Sequence, residues 1–304
     1  MRIAIAQINP TLGDFAGNAT KIRHAVDLAQ QAGAELIITP ELALCGYPPA
    51  DLLLRETFCQ CCQDTLNELA ESIGDITLIV GHPDFRHGKL FNAASVIRNR
   101  TVLQTYHKRI LNQSPLFNEH YYFDSGTRSC SFSLAGIRLT VLICADFWTQ
   151  RLPIEEISGQ CDIVLVLSAS AYQIDKQVSR YQVTQKFTEK TGTPVIHCNL
   201  VGGQDELVFD GASFAMNHRG ELIHQSKAFT EAIEIVEIQA AQPAIGKLEN
   251  VRRLAAGRGA GVEYAHAVLD PQQRRGQLRA GVLYREPAVA ETRQALDRSC
   301  PLEH

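Results

Sequence analysis

The sequence predicts an α/β protein on three observations. Apolar runs of strand length recur along the first 200 residues, and stretches with helical periodicity lie between several of them. Runs such as "DIVLVLS" (162–168) are almost wholly apolar, as in strands buried on both faces, whereas "TVLQTYHK" (101–108) and "ELIHQS" (221–226) alternate as half-covered strands do. Together these patterns predict either a mixed sheet or two sheets packed together under helices.

The individual elements follow from these patterns. The predicted helices cover 18–31, 58–73 and 175–191, and in the first of them Ile22, Ala25, Val26 and Ala29 share one face. The predicted strands cover 3–8, 35–39, 76–81, 92–97, 101–106, 137–144, 162–168 and 194–200.

The domain organisation is predicted from changes in composition. No repeat or linker interrupts the first 240 residues, so we expect one domain over 1–246. Residues 247–304 are rich in Ala, Gly and Arg and have weak periodicity, which indicates a solvated extension, with a basic docking surface as the alternative. The final "LEH" resembles a remnant of a cloning vector.

Composition narrows the classes of function. The 304 residues are 45% hydrophobic, as in a globular enzyme or binding protein, and the net charge of −4 gives no broad positive field for nucleic acid. No apolar stretch approaches the roughly 18 residues of a spanning helix, and "MRIAIAQINP" turns polar too early for a signal peptide, so we expect a cytoplasmic protein without membrane partners.

The cysteines give two further expectations. Their odd count of nine, without an export signal, predicts reduced thiols. "CQCC" (59–62) lies in a helical pattern without a second Cys/His cluster at ligand spacing, so we expect no metal site.

Three reactive side chains follow three predicted strands. Glu41 comes just after "ELIIT", Lys108 after "TVLQTY", and Cys144 ends "IRLTVLIC". Open α/β sheets bind ligands beyond the carboxyl ends of their strands. A thiol with its usual pKa of about 8.5 needs a base or a nearby cation to become a nucleophile. The set therefore suits a base, an oxyanion stabiliser and a nucleophile.

The segments around these residues resemble a known family. Glu41 in "ITPELALCGYPPADLL", Lys108 in "HKRIL" and Cys144 in "LICADFW" resemble the Glu-Lys-Cys triad of the nitrilase superfamily of carbon–nitrogen hydrolases. "GYPPADLL" (46–53) and "NLVGGQDELVFDGASF" (199–214) resemble one branch, the glutamine-hydrolysing (glutamine amidotransferase) domain of glutamine-dependent NAD+ synthetases. The resemblance covers residues 1 to about 240.

The resemblance implies a fold and a reaction. The fold is a four-layer α-β-β-α sandwich, and the reaction is a two-step hydrolysis of an amide through a thioester on Cys144, with Glu41 as the base. The oxyanion would rest on Lys108 and on the backbone N–H of Ala145, and Glu119 would orient the lysine and the substrate. The amidase reaction needs no cofactor.

The resemblance also implies partners. ATP and an NAD precursor belong to a separate synthetase domain, whose SGGxDS motif does not occur after residue 246. We therefore expect a small amide substrate, a separate synthetase as a further partner, and a homo-oligomer.

The sequence departs from that branch around the substrate. Ala145 stands where a glutamate typically holds the substrate's amino group, and Ala171 replaces a proline. In "LNQSPLFNEHYYF" the residues that replace the branch's proline, tyrosine, aspartate and arginine are Asn112, Ser114, Asn118 and Tyr121. The candidates for the substrate pocket or a partner face are Ser114, Tyr121, Trp148, Ser170, Asp205 and Glu206.

Three hypotheses remain open at this point. The leading one is a thiol amidase that hydrolyses glutamine. The second is a stand-alone amidase, or a hydrolase of N-carbamoyl amides, with another substrate. The third is a subunit that binds a partner through "GGQDELVFDG" or through the arginine-rich tail.

Overall fold

Two six-stranded sheets form the centre of the molecule. The computed structural model describes residues 1–114, 117–148 and 159–240, and the expectations for 247–304 lie outside the described residues. The first sheet contains β1 (Arg2–Gln7), β2 (Leu36–Ile38), β3 (Thr77–Arg86), β4 (Lys89–Arg98), β5 (Thr101–His107) and β16 (Ala232–Glu237). The second contains β8 (Cys130–Leu134), β9 (Ile137–Ile143), β10 (Ile163–Ser168), β11 (Val195–Asn199), β14 (Phe214–Met216) and β15 (Leu222–Gln225).

Both sheets are mixed, and in each the central strands are parallel. The order of the first is β16-β1-β2-β3-β4-β5, with β1, β2 and β3 parallel and the other pairs antiparallel. The order of the second is β15-β14-β11-β10-β9-β8, with β9, β10 and β11 parallel. The carboxyl ends of β2 and β5 therefore point to the same end of the first sheet, and those of β9 and β10 to the same end of the second.

Helices cover the outer faces of the two sheets. They are α1 (Phe15–Gln31), α2 (Glu56–Ser72), the one-turn α3 (Ala145–Trp148) and α4 (Lys176–Thr191). Helices α1 and α2 pack on the first sheet, while α4 packs on the second. The Asp14 carboxylate caps α1 by accepting from the Gly17 N–H at 2.9 Å.

Alternation along the strands builds two cores. In β1, Ala4 and Ala6 belong to the core under α1 and α2, while Ile3 and Ile5 belong to the core between the sheets, where β1 contacts β11. The layers run helix, sheet, sheet, helix, which confirms the predicted four-layer α-β-β-α sandwich.

The structure also contains strands that the sequence patterns missed. β3 is longer than predicted because it continues through the polar "HPDFR" (82–86), and β4 begins earlier than predicted, at Lys89. The two strands close in a hairpin, where His87 and Gly88 both have positive φ. β8, β14 and β16 went unpredicted because they are short or half exposed, whereas β15 lies within "ELIHQS" (221–226), whose alternation indicates a half-covered strand. Two small hairpins were also missed: β6 (Gln113–Ser114) with β7 (Phe117–Asn118), and β12 (Val201–Gln204) with β13 (Leu207–Asp210).

Two further findings bear on the expectations from composition. No helix in residues 1–114, 117–148 and 159–240 is long and apolar enough to cross a membrane. The free thiols in the same ranges are Cys45, Cys59, Cys62, Cys130, Cys144, Cys161 and Cys198, whereas Cys61 is not free.

Candidate active site

Glu41 lies in the tight turn that follows β2. The turn packs directly on β3, because a Cβ at Gly81 would lie 2.5 Å from the Leu42 nitrogen and 2.6 Å from the Pro40 oxygen. The Leu44 N–H donates to the Gly81 oxygen at 3.0 Å, and Leu42 adopts a positive φ of 50°. Glycine at position 81 therefore allows the close approach that buries Glu41 between the sheets.

Lys108 directly follows β5, and its backbone is fixed on both sides. Its N–H donates to the Asn92 oxygen at 2.8 Å, and its carbonyl accepts from the Gly126 N–H at 2.8 Å. Gly126 leaves no room for a side chain, since a Cβ there would lie 2.2 Å from the His107 oxygen. The side chain of Lys108 is 2% exposed, which is tolerated only because it is paired.

Cys144 lies in a strained turn between β9 and α3. Its φ is 41°, a conformation that costs a non-glycine residue about 1–3 kcal/mol and that is common at functional sites. Its N–H donates to the Leu167 oxygen at 2.8 Å, which joins it to the end of β10. Ala145, the next residue, begins α3, so its N–H is not used by the hydrogen bonds of that helix.

Asp146 ties the turn of Cys144 to the segment of Lys108. One carboxylate oxygen accepts from the N–H groups of Arg109 (3.0 Å) and Ile110 (2.7 Å). The other accepts from the Tyr106 hydroxyl (2.8 Å) and the Ile143 N–H (3.2 Å). Because Asp146 is fully buried, these four bonds hold the two sheet ends in one arrangement.

The four predicted residues Glu41, Lys108, Glu119 and Cys144 come together at these strand ends. The Lys108 ammonium donates to Glu41 Oε1 at 2.7 Å and to the two oxygens of Glu119 at 2.7 and 2.8 Å. The second oxygen of Glu41, Oε2, accepts from the Ala169 N–H at 2.9 Å, at the end of β10 to which the Cys144 N–H is also bonded. Glu119 Oε2 also accepts from the Asn112 N–H at 2.9 Å.

The charges of this group keep the thiol neutral at rest. Two carboxylates and one ammonium give the group a net charge of minus one, so a thiolate would add a second negative charge in a buried place. Burial raises the pKa of Cys144 to about 12; the charge of Glu41 adds to the rise, and Lys108 opposes it. Burial also raises the pKa of Glu41. Burial alone would lower the pKa of Lys108, but Glu41 and Glu119 outweigh it and raise that pKa well above its usual value.

A half-buried cation stands near the nucleophile. The Lys176 ammonium lies 5.1 Å from the centre of the Trp148 ring, and burial lowers its pKa, while the nearby Cys144 opposes the shift. No carboxylate pairs with Lys176 in the described part of the chain. A small cavity beside it is lined by Trp148, Ser168, Ser170, Arg180, His197, Asn199, Ala212 and Phe214.

The remaining predicted site residues are more scattered. Trp148 and Ser170 line the cavity, whereas Tyr121 is 73% exposed. Asp205 and Glu206 are exposed at the tip of the β12–β13 hairpin, and no hydrogen bond joins them to Glu41, Lys108, Glu119 or Cys144. Of Ser114 the structure describes only the backbone, in β6.

Sequence reasoning missed four residues of the site: Asn92, Asp146, Lys176 and Tyr47, a buried residue whose pKa is raised by burial and by the charges of the nearby Glu41 and Glu119. Asp146 is two positions after the nucleophile, and an acid so placed is a signal that could have found it. The other three gave no comparable signal. In residues 1–114, 117–148 and 159–240 no group of three His, Cys, Asp or Glu side chains is arranged to hold a metal ion.

A partly buried thiol with a buried carboxylate and ammonium, at the strand ends of an α-β-β-α sandwich, defines the class of thiol-dependent carbon–nitrogen hydrolases. The sequence model of that family, described as carbon-nitrogen hydrolase, matches residues 2–244. This chain belongs to the carbon–nitrogen hydrolase family.

Within this family, the chain is similar to curated glutamine-dependent NAD(+) synthetases. It is 39% identical over 253 residues to the glutamine-dependent NAD(+) synthetase of Synechocystis, covering 77% of this chain and 45% of the relative. It is 36% identical over 242 residues to the enzyme of that name from Thermotoga maritima, covering 78% and 42%. The chain thus spans less than half the length of the curated relatives that it matches.

Solved structures agree with the sequence comparisons. The glutamine-dependent NAD+ synthetase of Acinetobacter baumannii superposes with a TM-score of 0.74 at 33% identity, over 77% of this chain and 44% of that one. An amidase from Nesterenkonia sp. has the same fold, with a TM-score of 0.73 at 23% identity, over 84% and 96% of the two chains.

Proposed function

We propose that this protein hydrolyses the side-chain amide of glutamine to glutamate and ammonia through a thioester on Cys144. The observation that carries the proposal is the buried group in which the Lys108 ammonium bridges Glu41 and Glu119 next to that thiol. The names of the relatives support glutamine as the amide, since they are glutamine-dependent enzymes.

The first step is a proton transfer coupled to attack. The thiol proton passes to Glu41, most directly to Oε2, which is bonded at the end of β10 that Cys144 also joins. The transfer leaves the net charge of the group unchanged, so it avoids the burial cost of a free thiolate. The sulfur attacks the carboxamide carbon and forms a tetrahedral intermediate.

Lys108 and Ala145 stabilise the oxyanion of that intermediate. Three carboxylate oxygens already surround the Lys108 ammonium, so Lys108 acts mainly through its positive charge. The Ala145 N–H, at the start of α3, supplies the hydrogen bond. Glu41 then returns its proton to the leaving nitrogen, and ammonia departs.

The second step releases the acid product. A water molecule gives a proton to Glu41 and attacks the thioester, and Glu41 returns the proton to the sulfur as the carbon–sulfur bond breaks. The thiol loses one proton to the departing ammonia in the first step and regains one from water in the second. The cycle therefore needs no metal or cofactor to balance its protons.

Lys176 supports a substrate that carries a carboxylate. Its half-buried ammonium lies over Trp148, four residues after the nucleophile, without an acidic partner in the described part of the chain. An anionic group at the far end of the substrate would neutralise this charge. Glutamine has such a group, whereas simple aliphatic amides do not.

A panel of amides tests this proposal. We expect L-glutamine to release ammonia faster than neutral aliphatic amides or N-carbamoyl amides, and Cys144→Ala to release none. Lys176→Met should raise the KM for glutamine roughly tenfold or more, the loss of one charged contact, with kcat little changed.

The matched control for Lys176 is an exposed lysine of the same helix. Lys186→Met should leave the KM for glutamine unchanged. Faster turnover of neutral or N-carbamoyl amides, with no effect of Lys176→Met, would contradict glutamine as the substrate and favour a stand-alone amidase.

The destination of the ammonia is a second part of the proposal. The curated relatives continue beyond the region that this chain matches, and they are named synthetases. We propose that the ammonia made here is used by an NAD+ synthetase unit. The test mixes this protein with such a unit in the presence of ATP and the NAD+ precursor. Faster glutamine hydrolysis in the mixture would support the proposal, and an unchanged rate would contradict it.

A further inference from the structure

Asn92 lies where the catalytic strand ends meet. It is near the start of β4, which runs antiparallel to β3 and β5, so it lies beside their carboxyl ends. Its side chain is fully buried. Its Nδ2 donates to Glu41 Oε1 at 2.8 Å and to Glu119 Oε1 at 3.3 Å, and its backbone oxygen accepts from the Lys108 N–H at 2.8 Å.

The orientation of this amide is set by its neighbours. If the amide were turned over, its oxygen would face one oxygen of Glu41 and one of Glu119, both acceptors. In the observed orientation the Asn92 Oδ1 is buried and has no hydrogen-bond partner. An unpartnered buried acceptor destabilises the fold, and such groups persist mainly where the residue serves function.

We propose that Asn92 is a positioning residue of this site, whose amide binds both carboxylates at once and fixes Glu41 with Oε2 at the end of β10 that Cys144 also joins. Two donors, Lys108 Nζ and Asn92 Nδ2, hold Glu41 Oε1. Oε1 is therefore not available as a base, and Oε2 takes the thiol proton. This inference rests on the proposed function.

The electrostatics of Glu41 agree with this role. The titratable and charged groups that face Glu41 are Lys108, Glu119, Cys144 and Tyr47. Burial raises the pKa of Glu41, and Glu119 adds to the rise. The hydrogen bond from Asn92 opposes these effects together with Lys108, so it helps to keep Glu41 ionised.

The test uses Asn92→Leu and Asn92→Ala in the full chain, with Ser95→Ala as the matched control. Ser95 is also buried on β4, but it bonds to His82 and Thr105, away from the catalytic group. We expect both Asn92 variants to lose roughly tenfold or more in kcat, with little change in KM. The acidic limb of the pH profile of kcat should move to higher pH, and Ser95→Ala should change neither.

A second readout does not depend on activity. Carbon-13 NMR of protein labelled at the glutamate carboxyls follows the titration of Glu41, whose signal is assigned by its loss in Glu41→Gln. We expect Glu41 to titrate at higher pH in both Asn92 variants than in the wild type or in Ser95→Ala. An unchanged titration in folded Asn92 variants would overturn the inference, whether or not the protein is active.

The two proposals fail in distinguishable ways. A folded wild type that hydrolyses no amide contradicts the proposed function, and the titration of Glu41 still decides the role of Asn92. An active wild type whose Asn92 variants keep kcat and the acidic limb contradicts the role of Asn92 alone.

Discussion

Replacing Glu41 by glutamine should slow amide hydrolysis and, at the same time, make the Cys144 thiol easier to ionise. The change removes one of the two carboxylates around Lys108 and takes the net charge of the group from minus one to zero. Loss of the base should lower kcat for amide hydrolysis by about 10²–10⁴-fold. The thiol, whose pKa of about 12 is raised in part by the charge of Glu41, should ionise more easily.

Two assays on the same protein measure these effects. Ammonia release gives kcat, and alkylation by iodoacetamide between pH 6 and 10, followed by mass spectrometry of the Cys144 peptide, gives the ionisation of the thiol. We expect Glu41→Gln to be alkylated faster than the wild type at each pH, although it barely turns over. A variant that keeps kcat within tenfold, or whose Cys144 is alkylated no faster, would refute the reasoning. Cys144→Ala controls for alkylation at the other cysteines.

Three other outcomes follow from the same structure. Gly81→Ala should lower the free energy of unfolding, measured by urea denaturation, by about 1–3 kcal/mol, because the added Cβ would overlap the Leu42 nitrogen. It should also lower the activity, and a fully active variant would contradict this. Arg180→Met should lower the free energy of unfolding by about 3–5 kcal/mol, since it leaves the buried Asp210 carboxylate without its cation. Adding Asp210→Asn should restore part of this stability, and a double variant no more stable than Arg180→Met would argue against a tight pair. Because burial raises the pKa of Glu41 and the base must be ionised, kcat should fall as the pH falls through that raised value; a pH profile flat down to pH 4 would exclude Glu41 as the base.

The sequence predicted the elements whose residues are buried on both faces. Strands such as β9 and β10 consist of apolar runs, and the reactive residues follow strands directly, so Glu41 and Cys144 could be placed at strand ends before the structure was known. Very short strands such as β14 lack that signal, because three residues do not differ from a loop.

The supporting residues could not be found in this way. Asn92 lies within "NAASVI", a run that predicts a strand, and nothing local indicates that its side chain meets residues 51 and 27 positions away. Lys176 stands at the start of a polar helix, as many solvated lysines do. Conversely, Asp205, which the sequence predicted for the pocket or a partner face, lies at an exposed hairpin tip. Its positive φ of 52° is typical of an aspartate that forms a turn.

The central claim is that Cys144 forms an acyl-enzyme from glutamine. Hydroxylamine competes with water for a thioester, so the most direct measurement is the formation of the γ-glutamyl hydroxamate when the protein acts on L-glutamine in its presence. The account predicts hydroxamate from the wild type and from Lys186→Met, and none from Cys144→Ala. Ammonia release from glutamine without any hydroxamate, or equal product from Cys144→Ala, would contradict it.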